Sequence, residues 1–152
     1  MLQRVSQLNA DYVRAIDDDR LEDWPDFFTD PCLYTITSAD NHRQGLPAGI
    51  IYADSRGMLK DRVAAIREAN VYERQAYRHV VGLPAILGER EGTARTETPF
   101  IVVRIMRDGT MGLFATGRYV DVLVEEAGTL RFRERVVVCD SSRIDTLLAI
   151  PL

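Results

Sequence analysis

The hydrophobic periodicity of this chain changes near residue 70, and that change limits the fold more than any other feature. Before it, Leu2, Val5, Leu8, Tyr12, Val13 and Ile16 recur at helical spacing and form one apolar stripe over residues 2–18. After it, residues 77–87, 93–106, 111–124 and 130–140 are long segments rich in β-branched and aromatic side chains. Arg107-Asp108-Gly109 and Glu126-Ala127-Gly128 supply hairpin connections between them. Helices first and long strands afterwards describe an α+β domain.

The boundaries of the early elements follow from local chemistry. The run Asp17-Asp18-Asp19 stops the first helix, because negative charge is disfavoured at a helix C-terminus. Leu21, Trp24, Phe27 and Phe28 make a short apolar cluster; Pro25 suits the first turn of a brief helix, and Asp30-Pro31 breaks it. Residues 32–37 read as a strand, 38–49 as a loop by composition, and 50–53 as a short extended piece. Ser55 can cap a third helix, in which Leu59, Val63 and Ile66 follow at helical spacing and which ends near Asn70. No repeat and no Ser/Gly-rich linker divides residues 1–152, so a single domain is expected. Helices packed on one face of a strongly curved, mainly antiparallel sheet would close a cone, the NTF2-like architecture.

The last strand suggests two differently used faces. By simple alternation Leu130, Phe132, Glu134, Val136 and Val138 share one face, and Arg131, Arg133, Arg135 and Val137 the other. An arginine row of this kind is either a solvated face or an interface, where guanidinium groups pair with carboxylates and carbonyls of a neighbour. The apolar tail, with Leu147, Leu148, Ile150 and Leu152, must dock on its own sheet or on another subunit.

Composition excludes several function classes. A net charge of −4 and a pI near 5.2 give no electrostatic reason to expect nucleic acid or an anionic membrane as partner. No apolar run approaches the roughly 20 residues of a membrane span, and Met1–Asp11 has no secretory core, so a cytoplasmic protein is expected. Cys32 and Cys139 read as small buried hydrophobes. With His42 and His79 they offer no zinc-ligand spacing. A catalytic cone would need a general acid or base, for which His79, Tyr34, Tyr77 and an acid such as Asp17 or Asp54 are the candidates. The other reading of His79 is a histidine hydrogen-bonded within the sheet, and of His42 a surface residue. Ser141-Ser142 has no motif partner, and no nucleophile elbow or phosphate-binding loop is present.

Ordered blocks along the chain are similar to one family. Asp19-Arg20-Leu21-Glu22-Asp23-Trp24-Pro25-Asp26-Phe27-Phe28, Tyr77-Arg78-His79-Val80-Val81 and Glu134-Arg135-Val136-Val137-Val138-Cys139-Asp140, with the ending from Asp145 to Leu152, resemble the small (β) subunits of aromatic ring-hydroxylating dioxygenases. The middle blocks, from Gly45 to Ser55, Met58-Leu59 and from Arg67 to Arg74, are most similar to terephthalate dioxygenase small subunits. The resemblance implies an NTF2-like subunit that assembles with a catalytic α subunit, commonly as α3β3 with β–β contacts. That α subunit would carry a Rieske [2Fe–2S] cluster and a mononuclear non-haem Fe(II), and a separate reductase would deliver electrons from NAD(P)H.

Ligand arithmetic places this chain within such an assembly. A Rieske cluster takes two cysteines and two histidines, and the oxygenase iron takes two further histidines and a carboxylate. The chain has two histidines in all. No catalytic, cofactor-binding or metal-ligating residue is therefore expected in it. The alternative is a stand-alone NTF2-like dehydratase or isomerase using His79 with a pocket tyrosine.

Overall fold

The computed structural model describes residues 1–46, 49–69, 75–143 and 150–152. Arg74, Leu147 and Leu148 lie outside the described residues, and the third helix, expected to end near Asn70, ends at Glu68. Helix α1 (Leu2–Asp17) carries the predicted stripe and buries Val5, Tyr12, Val13 and Ile16. Its acidic stop behaves as read: the helix ends at Asp17, and Asp19 takes a left-handed φ of 59°, a conformation that aspartate tolerates better than most residues. The apolar cluster that follows is a 3₁₀ helix over Leu21–Phe27, with Pro25 inside it rather than in its first turn.

The strands are β1 (Phe28–Ser38), β2 (Ile51–Ala53), β3 (Gln75–Val81), β4 (Ala85–Arg90), β5 (Thr93–Met106), β6 (Met111–Glu126) and β7 (Thr129–Cys139). They form a seven-stranded sheet in the order β2-β1-β7-β6-β5-β3, with β4 also paired to β5. Only the β1–β7 pair is parallel among the described strands. Four expectations change here. Asp30-Pro31 does not end an element but sits within β1, at a register shift between Phe28 and Leu33. The loop over 38–49 contains a short helix α2 (Ala39–Arg43), because the Ser38 hydroxyl accepts from the Asn41 N–H and caps it. The segment over 77–87 divides into β3 and β4 around Gly82, whose N–H bonds the Pro99 carbonyl.

The fourth change concerns β7. Val122 pairs with Glu134 but Leu123 pairs with Phe132, so Arg133 is an extra residue on β7. A bulge of this kind flips every later side chain to the opposite face. The inward residues are therefore Leu130 and Phe132 before it, and Arg135, Val137 and Cys139 after it. The expected arginine row does not exist. Arg135 is fully buried, while Arg131 bonds the Asp26 carbonyl and pairs with Glu126.

Helix α3 (Arg56–Glu68) is capped by the Ser55 hydroxyl, which accepts from the Met58 N–H, and buries Leu59 and Val63. Helices α1 and α3 and the 3₁₀ helix lie against the inner side of the sheet and close the cone. An aromatic core fills it: Trp24, Phe28 and Tyr34 meet edge-to-face at 5.0–5.9 Å, and Tyr12 packs on Phe28, Tyr119 and Phe132. The chain is thus an α+β, NTF2-like cone.

Candidate functional site

His79 and Asp17, both named as candidates from sequence, meet in the structure. Inward-facing on β3, His79 places its ring Nδ1 2.6 Å from Asp17 Oδ1, and its backbone N–H donates to Asp17 Oδ2 at 2.8 Å. The last residue of α1 is thereby tied to an edge strand. Both side chains are essentially solvent-free. The carboxylate can only accept, so the ring proton belongs on Nδ1 when Asp17 is ionised. Nε2 then faces inward with no partner among the described residues. Tyr77, two residues earlier on the same face, lies 6.1 Å ring to ring from His79 and 5.3 Å from Phe114.

An oriented, buried imidazole is half of an acid–base site; the other half is a place for substrate. A cleft of about 420 Å³ runs between α1, α3 and β3, with Asp17 and Tyr77 in its wall, but His79 is not among its lining residues. Leu152 is completely buried inside the cone, and the space beside Leu152, Phe114 and Cys139 amounts to about 20 Å³, room for about one water. Tyr34, proposed as a catalytic partner for His79, is engaged by Leu152 instead: its hydroxyl donates to the Leu152 oxygen at 3.1 Å and accepts from the Leu152 N–H at 3.2 Å. Tyr12 donates to the same oxygen at 2.9 Å. The apolar tail, where it is described, docks on its own chain, with Ile150 packed against the core and Leu152 within it.

Sequence reasoning missed the polar centre of the core. The Arg135 Nε and Nη2 donate to the two Asp121 oxygens at 2.9 and 2.7 Å, and Nη2 also reaches Asn9 Oδ1 at 2.5 Å. Its guanidinium lies 3.8–4.4 Å from the rings of Tyr119, Phe132 and Tyr12. This cation–π box, closed by a bidentate carboxylate, holds Arg135 charged although burial opposes it. Asn9 passes the network on to Thr98 Oγ1 at 3.3 Å. The group joins α1, β5, β6 and β7 and opens on no solvent, so it is a structural clamp. Asp121 was legible in principle, since it shares the period-two phase of Tyr119 and Leu123.

The remaining candidates lie apart from this chemistry. Asp54, Ser141 and Ser142 are exposed, and His42 sits half-exposed on α2. Cys32 and Cys139 are buried free thiols, as read, and burial pushes both up to about 11. Burial is the largest influence on both and disfavours a reactive thiolate at neutral pH, outweighing the nearby Arg56 charge at Cys32. Among the described residues no group of three or more His, Cys, Asp and Glu side chains converges as a metal site. The residues present do not fit a Rieske cluster or a mononuclear iron.

The outer face of the sheet is different in character. Val80 of β3 pairs with Ile101 of β5, which pairs with Thr116 of β6; beside that row, Arg78 pairs with Val103 and Val103 with Leu113. Phe114 is the extra residue at a β6 bulge, which turns Leu113 outward. Val80 and Leu113 are 58% and 69% exposed, and Ile101 and Met111 are exposed with them. Exposed apolar side chains shared by three strands form the kind of patch that marks contact surfaces.

Comparison with known proteins agrees with the geometry. Residues 12–146 match the family model described as ring hydroxylating beta subunit. The chain is 50% identical over 149 residues to the terephthalate 1,2-dioxygenase terminal oxygenase component subunit beta 2 of Comamonas sp., covering 98% of this chain and 97% of that one. A solved structure from Novosphingobium aromaticivorans, described as the β subunit of an aromatic-ring-hydroxylating dioxygenase, superposes with a TM-score of 0.92 at 39% identity, covering 99% of this chain and 96% of that chain. A protein of the same organism described as a scytalone dehydratase shares the fold alone, with a TM-score of 0.70 at 18% identity over 91% of this chain and 83% of its own. The catalytic-cone alternative thus keeps its fold but loses its family: similarity over nearly the whole length and a matching family model place this chain among the β subunits of aromatic ring-hydroxylating dioxygenases.

Proposed function

We propose that this chain is the structural β subunit of the terminal oxygenase of a terephthalate 1,2-dioxygenase-like system, and that it contributes no catalytic, cofactor-binding or metal-ligating residue. Residues 1–152 act as one domain in the cytoplasm. The catalytic α subunit supplies the Rieske [2Fe–2S] cluster and mononuclear Fe(II), and a reductase brings electrons from NAD(P)H. Copies of the chain meet in a β trimer that carries three α subunits. The observation carrying the reading is the 50% identity over 98% of the chain to a terephthalate dioxygenase β subunit. Two features of this chain agree with it: two histidines, where the family's metal centres need four, and a Leu152 fully buried within the cone.

The apolar outer face, with Val80, Ile101, Met111 and Leu113, is the surface this reading assigns to the α subunit. Arg131 and the described end of the tail, Ile150 and Leu152, both considered from sequence as interface, are engaged with their own chain.

The experiment is turnover of terephthalate by the oxygenase reconstituted with a His79→Ala β chain. Oxygen consumption per α iron is expected to stay within about twofold of wild type, with the cost appearing as lower stability of the β chain. A loss of about 10²-fold or more, the scale of a missing acid–base group, at unchanged assembly would place catalysis in this chain and contradict the reading.

A further inference from the structure

Leu152 is held the way a ligand is held. Two phenol hydroxyls, Tyr12 at 2.9 Å and Tyr34 at 3.1 Å, converge on its backbone oxygen, while its N–H donates to the Tyr34 hydroxyl. The Trp24 indole N–H donates to the Tyr12 hydroxyl at 3.1 Å, which leaves that hydroxyl's own proton for the Leu152 oxygen. Each phenol accepts once and donates once. All four residues are fully buried. Burial raises both phenols above their ordinary pKa, so they stay protonated donors across the physiological range. The three cage residues come from α1, the 3₁₀ helix and β1, which pack together through their own edge-to-face contacts.

We propose that the interior of the cone is a binding site for an apolar group about the size of leucine bearing a carbonyl or carboxylate oxygen, and that Leu152 occupies this site in cis. Without an oxygen there, two buried hydroxyls lose their acceptor in an aromatic cavity, which is costly. The cage therefore selects for an occupant that brings both an oxygen and an apolar body. Tethering gives the chain's own residue a high effective concentration, so a free molecule enters when residues 150–152 are withdrawn. The inference does not depend on the β-subunit reading, because it rests on groups within this chain.

The test uses the chain lacking residues 150–152, with Trp24, the single tryptophan, as reporter inside the cage. The probes are the tripeptide Ile-Pro-Leu as free acid and as amide, and 4-methylpentanoate. Removing the segment is expected to shift Trp24 emission to the red, and the tripeptide is expected to reverse the shift with a Kd of about 10 µM to 1 mM. Adding Tyr12→Phe and Tyr34→Phe should weaken that binding at least about tenfold. Tighter binding of the acid identifies a carboxylate site, and equal binding of the amide a carbonyl site. Absence of binding by all three probes at about 10 mM, or indifference to the two hydroxyls, overturns the proposal. Should the shortened chain not fold, the full chain decides: Tyr34→Phe is expected to speed hydrogen exchange at the Leu152 amide about tenfold, and unchanged exchange overturns it.

Discussion

Arg135→Ala is expected to destabilise the isolated chain by about 3–5 kcal/mol, read as a fall in the urea midpoint at unchanged slope. The substitution leaves Asp121 fully buried without its bidentate partner and Asn9 without the donor at 2.5 Å. It also empties a box of three aromatic faces. Stranding a buried charge is the costly half of the change; the ion pair itself is worth far less than its rupture. The double replacement Arg135→Met, Asp121→Leu should therefore recover most of the loss, with a residue from the vacant cation–π contacts. A single-mutant loss below about 1 kcal/mol would mean that Arg135 is solvated and that the bulge at Arg133 does not turn it inward.

Ile101→Asp combined with Leu113→Asp should abolish co-purification with the α subunit while leaving the β chain folded. Both side chains are exposed on the outer face, so their replacement changes the monomer by about 0.5 kcal/mol or less. In a buried contact the same carboxylates would have to be desolvated without partners, which costs several kcal/mol per ion. The same charge at Leu2 on α1, also exposed, is expected to leave the complex intact. Retention of the α subunit by the double variant, at unchanged melting temperature, would move the interface elsewhere on the molecule.

These expectations separate what periodicity reveals from what pairing decides. Elements with strong local signals were legible: the α1 stripe, the Ser55 cap, and the hairpin turn containing Ala127 and Gly128, both of which adopt positive φ in the structure. The faces of β7 were not. One extra residue, Arg133, is invisible to alternation and becomes apparent only when Leu123 is seen opposite Phe132. That single slip turned a supposed surface arginine into the centre of the core. His79 and Asp17 were legible as residue types, but their contact joins positions 62 apart in sequence, which helix and strand patterns do not report. The position of Leu152 was likewise open. An apolar tail must be covered, and only the tertiary placement of Tyr12, Trp24 and Tyr34 shows that its own chain covers Leu152.

The central claim is that this chain supports an oxygenase without holding its metals. Native mass and iron content, measured on the chain expressed alone and on the chain co-expressed with its α subunit, test it most directly. The account predicts no stoichiometric iron in the chain alone, and an iron-containing complex in which the two subunits are equimolar. Stoichiometric iron bound by the chain alone, or a chain that ignores the α subunit and turns over substrate by itself, would contradict it.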